Sequence, residues 1–442
     1  MTTTQIGGKV IASGGFGCIF KPALTCSNDS NSEINRTNRV SKLMTIKNAT
    51  EEYTQIDSFK LILQNIPNYE RYFLLKDVIL CKPNKLTNDD LHKYKKCRAL
   101  KKKGITAKNI NKSLDKILAL NMPDGGIDIE KFVREYFVPS NIIQLNNCLI
   151  DLLVHGIVPM NKLNVYHCDI KDGNVLIKIA NPGLETRLID WGLSFVHKNK
   201  KTLPRKIYRR PFQFNVPFSS VLFNKEFLNK YHAFLEITPN PDYFQIREFI
   251  INYIFIWNEI RGPGHFKAIN DIVKKLTINN LNDIKKKKMK QRFIEYDFTY
   301  YYIVEYLSKI LEKFTIQGKF ELMTYFNTIF LKNIDIWGFT MTYICFYEYL
   351  YDSFDTITET QMQFMNKIKY IIIHFLYENP LEPIDISLLT LELTKLNPIL
   401  EKMEEPGNNV KLNKKPNKKP NTNTNKRNKH KFKKLNKTMK IR

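Results

Sequence analysis

The stretch Val165-Tyr166-His167-Cys168-Asp169-Ile170-Lys171-Asp172-Gly173-Asn174-Val175-Leu176 decides how this 442-residue chain is interpreted. It has the order His-x-Asp-x-Lys-x-x-Asn, and the run Leu188-Ile189-Asp190-Trp191-Gly192 comes after one hairpin's length of chain. Together they supply two carboxylates, one amide and one lysine. Magnesium prefers oxygen ligands and usually completes its shell with substrate phosphates. A hydroxyl that attacks a phosphate needs a carboxylate to orient it and cations to offset charge, so these residues predict a phosphoryl-transfer site.

Upstream, residues 6–21 predict a strand, a glycine-containing turn and a second strand. The turn, Ala12-Ser13-Gly14-Gly15-Phe16-Gly17, would let backbone amides approach a phosphate closely. Taken alone, an ordinary hairpin is the competing interpretation. The turn therefore gains functional meaning only together with the motifs located further along the chain.

Arg39–Met44 alternates in polarity and predicts a strand with Lys42 at its centre. Apolar spacing over 48–63 predicts a helix with Glu51 and Glu52 in its first turns. A lone strand lysine is usually a solvated surface group. The helix that begins just after this strand offers Lys42 an acidic partner, either Glu51 or Glu52.

The remaining chain divides by composition. Residues 82–112 are polar and basic, which predicts an insertion with a solvated face, and 121–126 predicts a hinge. Apolar periodicity over 142–160 predicts a long core helix, and 175–189 predicts a hairpin. Residues 72–75 have the composition of a short strand.

The net charge of +26 invites a nucleic-acid interpretation, so its location matters. Residues 411–442 hold twelve lysines and two arginines without an acid, which gives +14 in one segment. That segment has too few apolar residues to fold alone. Non-specific nucleic acid or another acidic surface is a candidate partner for this tail.

The seven cysteines are odd in number and scattered, with no Cys-x-x-Cys pair. We therefore expect neither a zinc site nor a disulfide framework, and we expect an intracellular, reducing compartment. No secretory signal is expected at the N-terminus. The most apolar run, 336–350, is short for a membrane span and predicts a buried helix, so no membrane span is expected.

These motifs resemble those of eukaryotic-type protein kinases. Ala12–Ile19 resembles the glycine-rich loop, with alanine in place of its first glycine, and Val40-Ser41-Lys42 resembles the strand that carries the phosphate-binding lysine. His167-Cys168-Asp169 stands where His-Arg-Asp is expected, and Asp190-Trp191-Gly192 stands for Asp-Phe-Gly. Asp335-Ile336-Trp337 resembles the opening of the family's central helix, whose aspartate would brace the catalytic-loop backbone.

The resemblance implies an α+β, bilobal kinase-like fold. A β-rich N-lobe would span 1–124, with the basic insertion at 82–112. A helical C-lobe would span 125–405, with a second, helical insertion at 215–332 that has no clear match in the family. A disordered basic tail would occupy 406–442.

The resemblance also implies ATP- and Mg²⁺-dependent transfer of a phosphoryl group to serine or threonine hydroxyls of a protein substrate. Asp169 would orient the acceptor hydroxyl, Lys171 would neutralise the γ-phosphate, and Asn174 and Asp190 would hold Mg²⁺. The residues expected around ATP are Ile11, Ala12, Ser13, Gly14, Gly15, Phe16, Gly17, Cys18, Ile19, Lys42 and Glu52, with Glu51 as the alternative to Glu52.

The departures from the family pattern carry information of their own. Cys168 replaces the arginine that in typical kinases helps bind an activation-loop phosphate, so we expect activity without loop phosphorylation. Trp191 is larger than the usual phenylalanine, and Asn215-Val216-Pro217 is the nearest substitute for the Ala-Pro-Glu signature. The Cys168 and Trp191 variants and the long C-lobe insertion are similar to those of the divergent kinases of giant DNA viruses, and the high lysine, asparagine and isoleucine usage suggests an AT-rich genome.

Three other functions remain open from the sequence. A small-molecule kinase of the aminoglycoside or choline phosphotransferase type would share the fold, but Lys171 and the well-formed glycine loop favour a protein substrate. A non-catalytic scaffold is disfavoured because Lys42, Asp169, Asn174 and Asp190 are all present. Nucleic-acid binding through the basic tail is the third alternative.

Overall fold

The protein is described from a computed structural model. It covers residues 8–27, 36–180, 183–208, 210, 212–261, 264–277, 297–353 and 357–404. All of these belong to one compact unit, Met1–Glu404. The basic tail and the lysine-rich run at 285–290 lie outside the described residues, so the predictions for them stay predictions.

The N-terminal region is built on a five-stranded antiparallel sheet of order β1-β2-β3-β5-β4. Its strands are β1 (Lys9–Ser13), β2 (Gly17–Lys21), β3 (Arg39–Thr45), β4 (Ile79–Cys81) and β5 (Ile117–Pro123). Ile19, Lys42 and Leu120 lie directly opposite one another on three adjacent strands. Paired residues of neighbouring strands point to the same side, so these three share one face of the sheet.

Helix α1 (Ile46–Leu63) covers that same face, and the predicted helix over 48–63 matches it apart from two residues at its start. Ala49, Ile56 and Phe59 are buried along one side of the helix. Their spacing of seven and three residues keeps them on a single stripe, which is what packing against a sheet requires. Glu52 lies on this stripe as a buried acid, whereas Glu51 is exposed.

The basic insertion covers the opposite face of the sheet, and it has the solvated face that was predicted together with a buried face that was not. Its cations are exposed, but its apolar residues form a second core with strand residues. The members of that core from the insertion are Leu86, Tyr94, Cys97, Ala99, Leu100, Ile105 and Ile110. Short helical turns, including α3 (Arg98–Lys101), link these buried positions.

Two cysteine pairs in this region lie at disulfide distance, which the sequence did not predict, and the first of them joins the sheet to the insertion. Cys18 of β2 meets Cys97, and Cys26 meets Cys81. The members of each pair are 79 and 55 residues apart in sequence, so no local spacing announces them. Cysteines at this distance can exist as thiols or as a disulfide, and the expected reducing compartment stays a prediction.

Beyond the sheet, two short β units lie on either side of the loop at 167–174. A three-stranded sheet has the order β6-β8-β9, and β7 pairs with β10. These strands are β6 (Ile127–Asp128), β7 (Val165–Tyr166), β8 (Val175–Ile179), β9 (Leu184–Leu188) and β10 (Phe195–Val196). Glycine is required at position 126, immediately before β6, because its φ is +97° and a Cβ there would lie 2.0 Å from the Ile177 carbonyl oxygen.

The rest of the unit is mainly helical and shares one large core. Its helices are α2 (Tyr69–Tyr72), α4 (Ile129–Tyr136), α5 (Pro139–Asp151), α6 (Val158–Lys162), α7 (Lys225–Ile237), α8 (Tyr243–Arg261), α9 (Gly264–Thr277), α10 (Asp297–Phe314), α11 (Leu322–Tyr325), α12 (Leu331–Met341), α13 (Ile344–Ser353), α14 (Glu359–Ile372), α15 (Ile386–Thr394) and α16 (Leu396–Glu404). A small hairpin joins β11 (Thr315–Ile316) to β12 (Lys319–Phe320). The structure is therefore of mixed α+β class, as predicted.

The apolar run at 336–350 is divided between α12 and α13, and most of it is buried in the core, as expected of an internal helix. Among the described residues, one helical stretch, Pro139–Lys162, is long and apolar enough to cross a membrane by length and composition alone. The core helices of soluble proteins pass the same test. Its Ile142, Leu145 and Leu149 are buried in the large core, which is consistent with the expected absence of a membrane span.

Candidate functional site

Lys42 lies at the centre of a buried charge cluster between the sheet and the loop after β9. Its Nζ is 2.7 Å from Glu52 Oε1 and 3.2 Å from Asp190 Oδ1. The side chains of Lys42 and Glu52 are 11% and 9% exposed, whereas that of Asp190 is 44% exposed. The structure thus brings together three residues that are up to 148 positions apart, and leaves Asp190 as the member open to solvent.

The electrostatics of the cluster favour charged forms for Lys42 and Asp190. Burial alone would lower the pKa of Lys42, but the carboxylates of Asp190 and Glu52 outweigh it, and the net pKa lies above the usual value. Burial would raise the pKa of Asp190, but the charge and hydrogen bond of Lys42 outweigh it, and the net pKa lies below the usual value. Burial raises the pKa of Glu52 despite its contact with Lys42.

The loop after β7 is fixed by Asp335, a fully buried residue of α12. Its Oδ2 accepts hydrogen bonds from the backbone N–H of His167 at 2.9 Å and from Asn161 Nδ2 at 2.8 Å, and its Oδ1 accepts from the N–H of Cys168 at 2.7 Å. Cys168 has φ +62°, which is uncommon for a residue with a side chain. The Asp335 carboxylate stabilises this conformation, and that contact is the one expected of it from the sequence.

Asp169 receives hydrogen bonds on both carboxylate oxygens. Lys171 Nζ and Asn174 Nδ2 donate to Oδ2 at 2.8 and 3.0 Å, and Asn215 Nδ2 donates to Oδ1 at 2.9 Å. The sequence predicted the grouping of Asp169, Lys171 and Asn174. Asn215 was singled out only as a substitute for a signature motif, and its contact with Asp169 spans 46 residues.

Trp191 connects the charge cluster with this loop through apolar packing. Its ring lies 4.9 Å from that of His167, 5.4 Å from Phe59 of α1 and 5.7 Å from Phe73, measured between centroids. Trp191 is 1% exposed, so the residue beside Asp190 is held in the core. His167 Nε2 lies 3.0 Å from the carbonyl oxygen of Ile189, and burial lowers the pKa of His167.

The glycine-containing turn lies at the open edge of the same sheet face. The Gly14 N–H donates to the Gly17 carbonyl at 3.0 Å, and a Cβ at Gly14 or Gly15 would meet no atom within 4 Å. Phe16 at the tip is 56% exposed. Backbone amides at this tip are therefore accessible to a ligand.

The other residues expected around ATP divide by orientation. Ile11 and Ala12 are exposed and Ile19 is half-buried on the Lys42 face. Ser13 instead accepts hydrogen bonds from the backbone of the insertion, at 3.0 Å from the N–H of Arg98. The Cys18 side chain faces Cys97 on the far side of the sheet, so it is not directed at the Lys42 face as a nucleotide contact would require.

A magnesium ion fits the donor set formed by Asn174 and Asp190. Asn174 Nδ2 donates to Asp169, to the carbonyl oxygen at 2.7 Å and to Oδ2, which leaves Oδ1 as the potential ligand atom. Asp190 is exposed and anionic. The described ranges hold no group of three or more His, Cys, Asp or Glu side chains that could bind a metal without further ligands. Two protein oxygens plus phosphate oxygens and water are typical of Mg²⁺ sites that act on nucleotides.

Cysteine nucleophile chemistry is disfavoured at this site. Burial raises the pKa of Cys168 well above the usual thiol value, and the residue is 1% exposed. A nucleophilic or metal-binding cysteine needs thiolate character and access. The chemistry of the site therefore depends on its oxygen and ammonium groups.

Two cations of the segment after β10 complete the site, and no sequence motif pointed to either of them. Lys206 Nζ donates to the carbonyl oxygens of Gly192 and Ser194, in the loop that follows Asp190, and Arg210 Nη2 donates to the Cys168 carbonyl. Both contacts join residues that are far apart in sequence and belong to irregular structure.

No protein-family model matches this chain, and no curated protein is similar to it.

Proposed function

We propose that the protein is an ATP- and Mg²⁺-dependent kinase that transfers the γ-phosphoryl group to serine or threonine hydroxyls of proteins, on a bilobal kinase-like fold. The observation that carries the proposal is the position of Lys42 Nζ between Glu52 and Asp190, within 3.2 Å of both. An ion pair of this kind, joined to an exposed metal-binding aspartate, is what phosphoryl transfer on such a fold requires.

The cluster is suited to bind a triphosphate. Lys42 is held on the sheet face below the glycine-containing turn, so it would meet the α- and β-phosphates while the turn's amides approach them from above. Val40 and Met122 are paired one pleat further along the same face and would contact the base. Glu52 would keep the lysine extended toward the phosphates.

Magnesium, when bound, would neutralise the phosphate charge and orient the γ-phosphoryl group. Asn174 Oδ1 and the Asp190 carboxylate are the protein groups that would hold it. Their separation in sequence is short, and β8 and β9 bring them to the same end of one hairpin.

The Asp169 carboxylate would orient the acceptor hydroxyl and take its proton. Asn215 and Asn174 hold it from two sides, so its oxygens are fixed in direction. Lys171 Nζ lies 2.8 Å from Asp169 Oδ2, and it would offset the charge of the transferring phosphoryl group. Fixed groups of this kind supply most of the catalysis in phosphoryl transfer.

The nature of the acceptor is tested by a panel. Purified protein with Mg²⁺ and γ-labelled ATP is offered casein, basic proteins and amino-sugars. We expect label on protein serine or threonine, identified by acid hydrolysis and mass spectrometry. Label that reaches only the small molecules would refute the choice of protein substrate and favour a small-molecule kinase.

The role of Asp190 has a matched control in the same chain. Asp190→Asn should lower the transfer rate by about 10²-fold or more, because a metal ligand and a charge are lost together. Asp77→Asn also removes an aspartate from left-handed backbone, but on the exposed surface, and should leave the rate unchanged. Equal rates in the two variants would show that Asp190 does not hold the metal.

A further inference from the structure

Lys206 is a half-buried cation outside the Lys42 cluster, and its ammonium group makes three hydrogen bonds. Its Nζ donates to the Ser194 carbonyl at 2.7 Å, to the Gly192 carbonyl at 3.1 Å and to Gln55 Oε1 at 3.2 Å. An ammonium group has three protons, so these three acceptors satisfy it completely. Such a set requires the chain around Lys206 to lie in one position relative to α1 and to the loop after Asp190.

The three acceptors connect the two acidic partners of Lys42. Gln55 lies three residues after Glu52 on α1, so both side chains project from the same side of the helix. Gly192 lies two residues after Asp190. A single ammonium group therefore ties together the helix that supplies Glu52 and the loop that supplies Asp190.

Arg210, four residues later, makes a second contact of this kind. It is 5% exposed, and its Nη2 donates to the carbonyl oxygen of Cys168. Cys168 occupies the position at which typical kinases have the arginine of the His-Arg-Asp motif. The guanidinium that lies on this loop is thus provided by the segment after β10, and it bonds to the backbone of the loop.

We propose that Lys206 is a positioning residue that fastens the segment after β10 (described residues 197–208 and 210) to α1 and to the Asp190 loop, and so holds the site in its transfer-competent arrangement without a phosphorylated side chain. This inference rests on the proposed kinase function and adds its mode of regulation. In a phosphate-controlled segment, the negative charge of a phosphate would recruit cations. Here the cations belong to the segment itself and bind neutral carbonyl and amide oxygens.

The physical cost of this arrangement shows why the contacts hold the segment in one place. Burial lowers the pKa of the Lys206 ammonium, since the charged form loses its hydration. Hydrogen bonds to a charged donor are stronger than those between neutral groups, and three of them offset that cost. They do so only while all three acceptors converge, so movement of the segment away from α1 would lose all three together.

The test compares Lys206→Gln and Lys206→Arg with Arg205→Gln, which removes an adjacent, exposed cation. Amide hydrogen exchange is followed on peptides from 190–208 and from α1 in all four proteins, including wild type. In parallel, labelled-phosphate transfer is measured after treatment with a broad-specificity phosphatase. The exchange measurement does not depend on activity, which separates this inference from the proposed function.

For Lys206→Gln we expect faster exchange in 190–208, unchanged exchange in the α12 and α14 peptides, and a kcat about 10- to 100-fold lower with a smaller change in the KM for ATP. Lys206→Arg should retain part of the protection and of the rate, and Arg205→Gln should match wild type. Phosphatase-treated wild type should keep its full rate.

Two results would overturn the inference, and a third would refute only the proposed kinase function. Unchanged exchange in Lys206→Gln would mean that the lysine does not fasten the segment. Loss of wild-type transfer after phosphatase treatment, regained on rephosphorylation, would mean that a phosphate is required. If wild type transfers no phosphate under any condition but Lys206→Gln still loosens 190–208, the fastening role stands and the proposed kinase function fails.

Discussion

Replacing Asp335 by alanine should destabilise the protein severely, and its contacts set the size of the effect. The carboxylate is fully buried and accepts from two backbone amides and one side-chain amide. Asn161 Nδ2 also donates to the Val165 carbonyl at 3.1 Å, so it would lose only one of its two hydrogen bonds. The amides of His167 and Cys168 would be left buried without a partner.

Each unsatisfied buried donor costs about 1–3 kcal/mol, so Asp335→Ala should lower the free energy of unfolding by about 2–6 kcal/mol. A domain is typically stable by about 5–15 kcal/mol, so a large share would be lost. The loss should be accompanied by mobility of the loop at 167–174, because the left-handed conformation of Cys168 would no longer be held.

The assay is urea unfolding followed by tryptophan fluorescence, with Asp385→Ala as the control. Asp385 is exposed and caps helix α15 through one hydrogen bond to the N–H of Leu388 at 3.0 Å. Loss of a single helix cap costs about 0.5–2 kcal/mol. A midpoint shift for Asp335→Ala no larger than that of Asp385→Ala would refute the view that Asp335 braces the loop.

Single contacts elsewhere lead to three further predictions. Glu52→Gln should lower phosphate transfer by about 10- to 100-fold because the buried Lys42 loses the carboxylate that holds it from the α1 side, whereas Glu51→Gln at the exposed neighbouring position should not, as measured with labelled ATP. Gly17→Ala should lower the melting temperature because its Cβ would lie 2.4 Å from a side chain of β3, whereas Gly15→Ala has open space and should melt as wild type does. Burial raises the pKa of Asp172 from 3.8 to about 6, so its ionised form opposes folding. Asp172→Asn should therefore stabilise by about 1–2 kcal/mol at pH 7, and the gain should vanish as pH falls through 6 to 4; an equal gain at both ends of that range in urea unfolding would contradict the assignment.

Local sequence signals accounted for the elements that contain the site. Alternation predicted β3, apolar periodicity predicted α1, and two strand-like runs around a turn predicted the hairpin of β8 and β9. Because these elements position Lys42, Glu52 and Asp190, local patterns predict these three charged members of the site, whereas they do not predict Lys206 or Arg210. Glu52 rather than Glu51 is the residue that reaches the lysine, since the helix stripe directs it inward.

The contacts that the sequence did not reveal are those between distant residues of irregular structure. Cys18 and Cys97 meet because the insertion folds over the outer sheet face, and no repeat or spacing encodes that path. Lys206 reaches Gln55 across 151 positions for the same reason. The composition of 72–75 predicted a short strand, but Tyr72 ends the short helix Tyr69–Tyr72 and Phe73 makes only an isolated bridge to Leu188.

The central claim is that Lys42, Asn174 and Asp190 converge on the phosphates of a bound nucleotide. The most direct measurement is a crystal structure of the protein with Mg²⁺ and a non-hydrolysable ATP analogue. We predict Lys42 Nζ within hydrogen-bond distance of the α- or β-phosphate, and Mg²⁺ bound by Asn174 Oδ1 and the Asp190 carboxylate. A triphosphate located away from Lys42, or a metal held by neither Asn174 nor Asp190, would contradict the account.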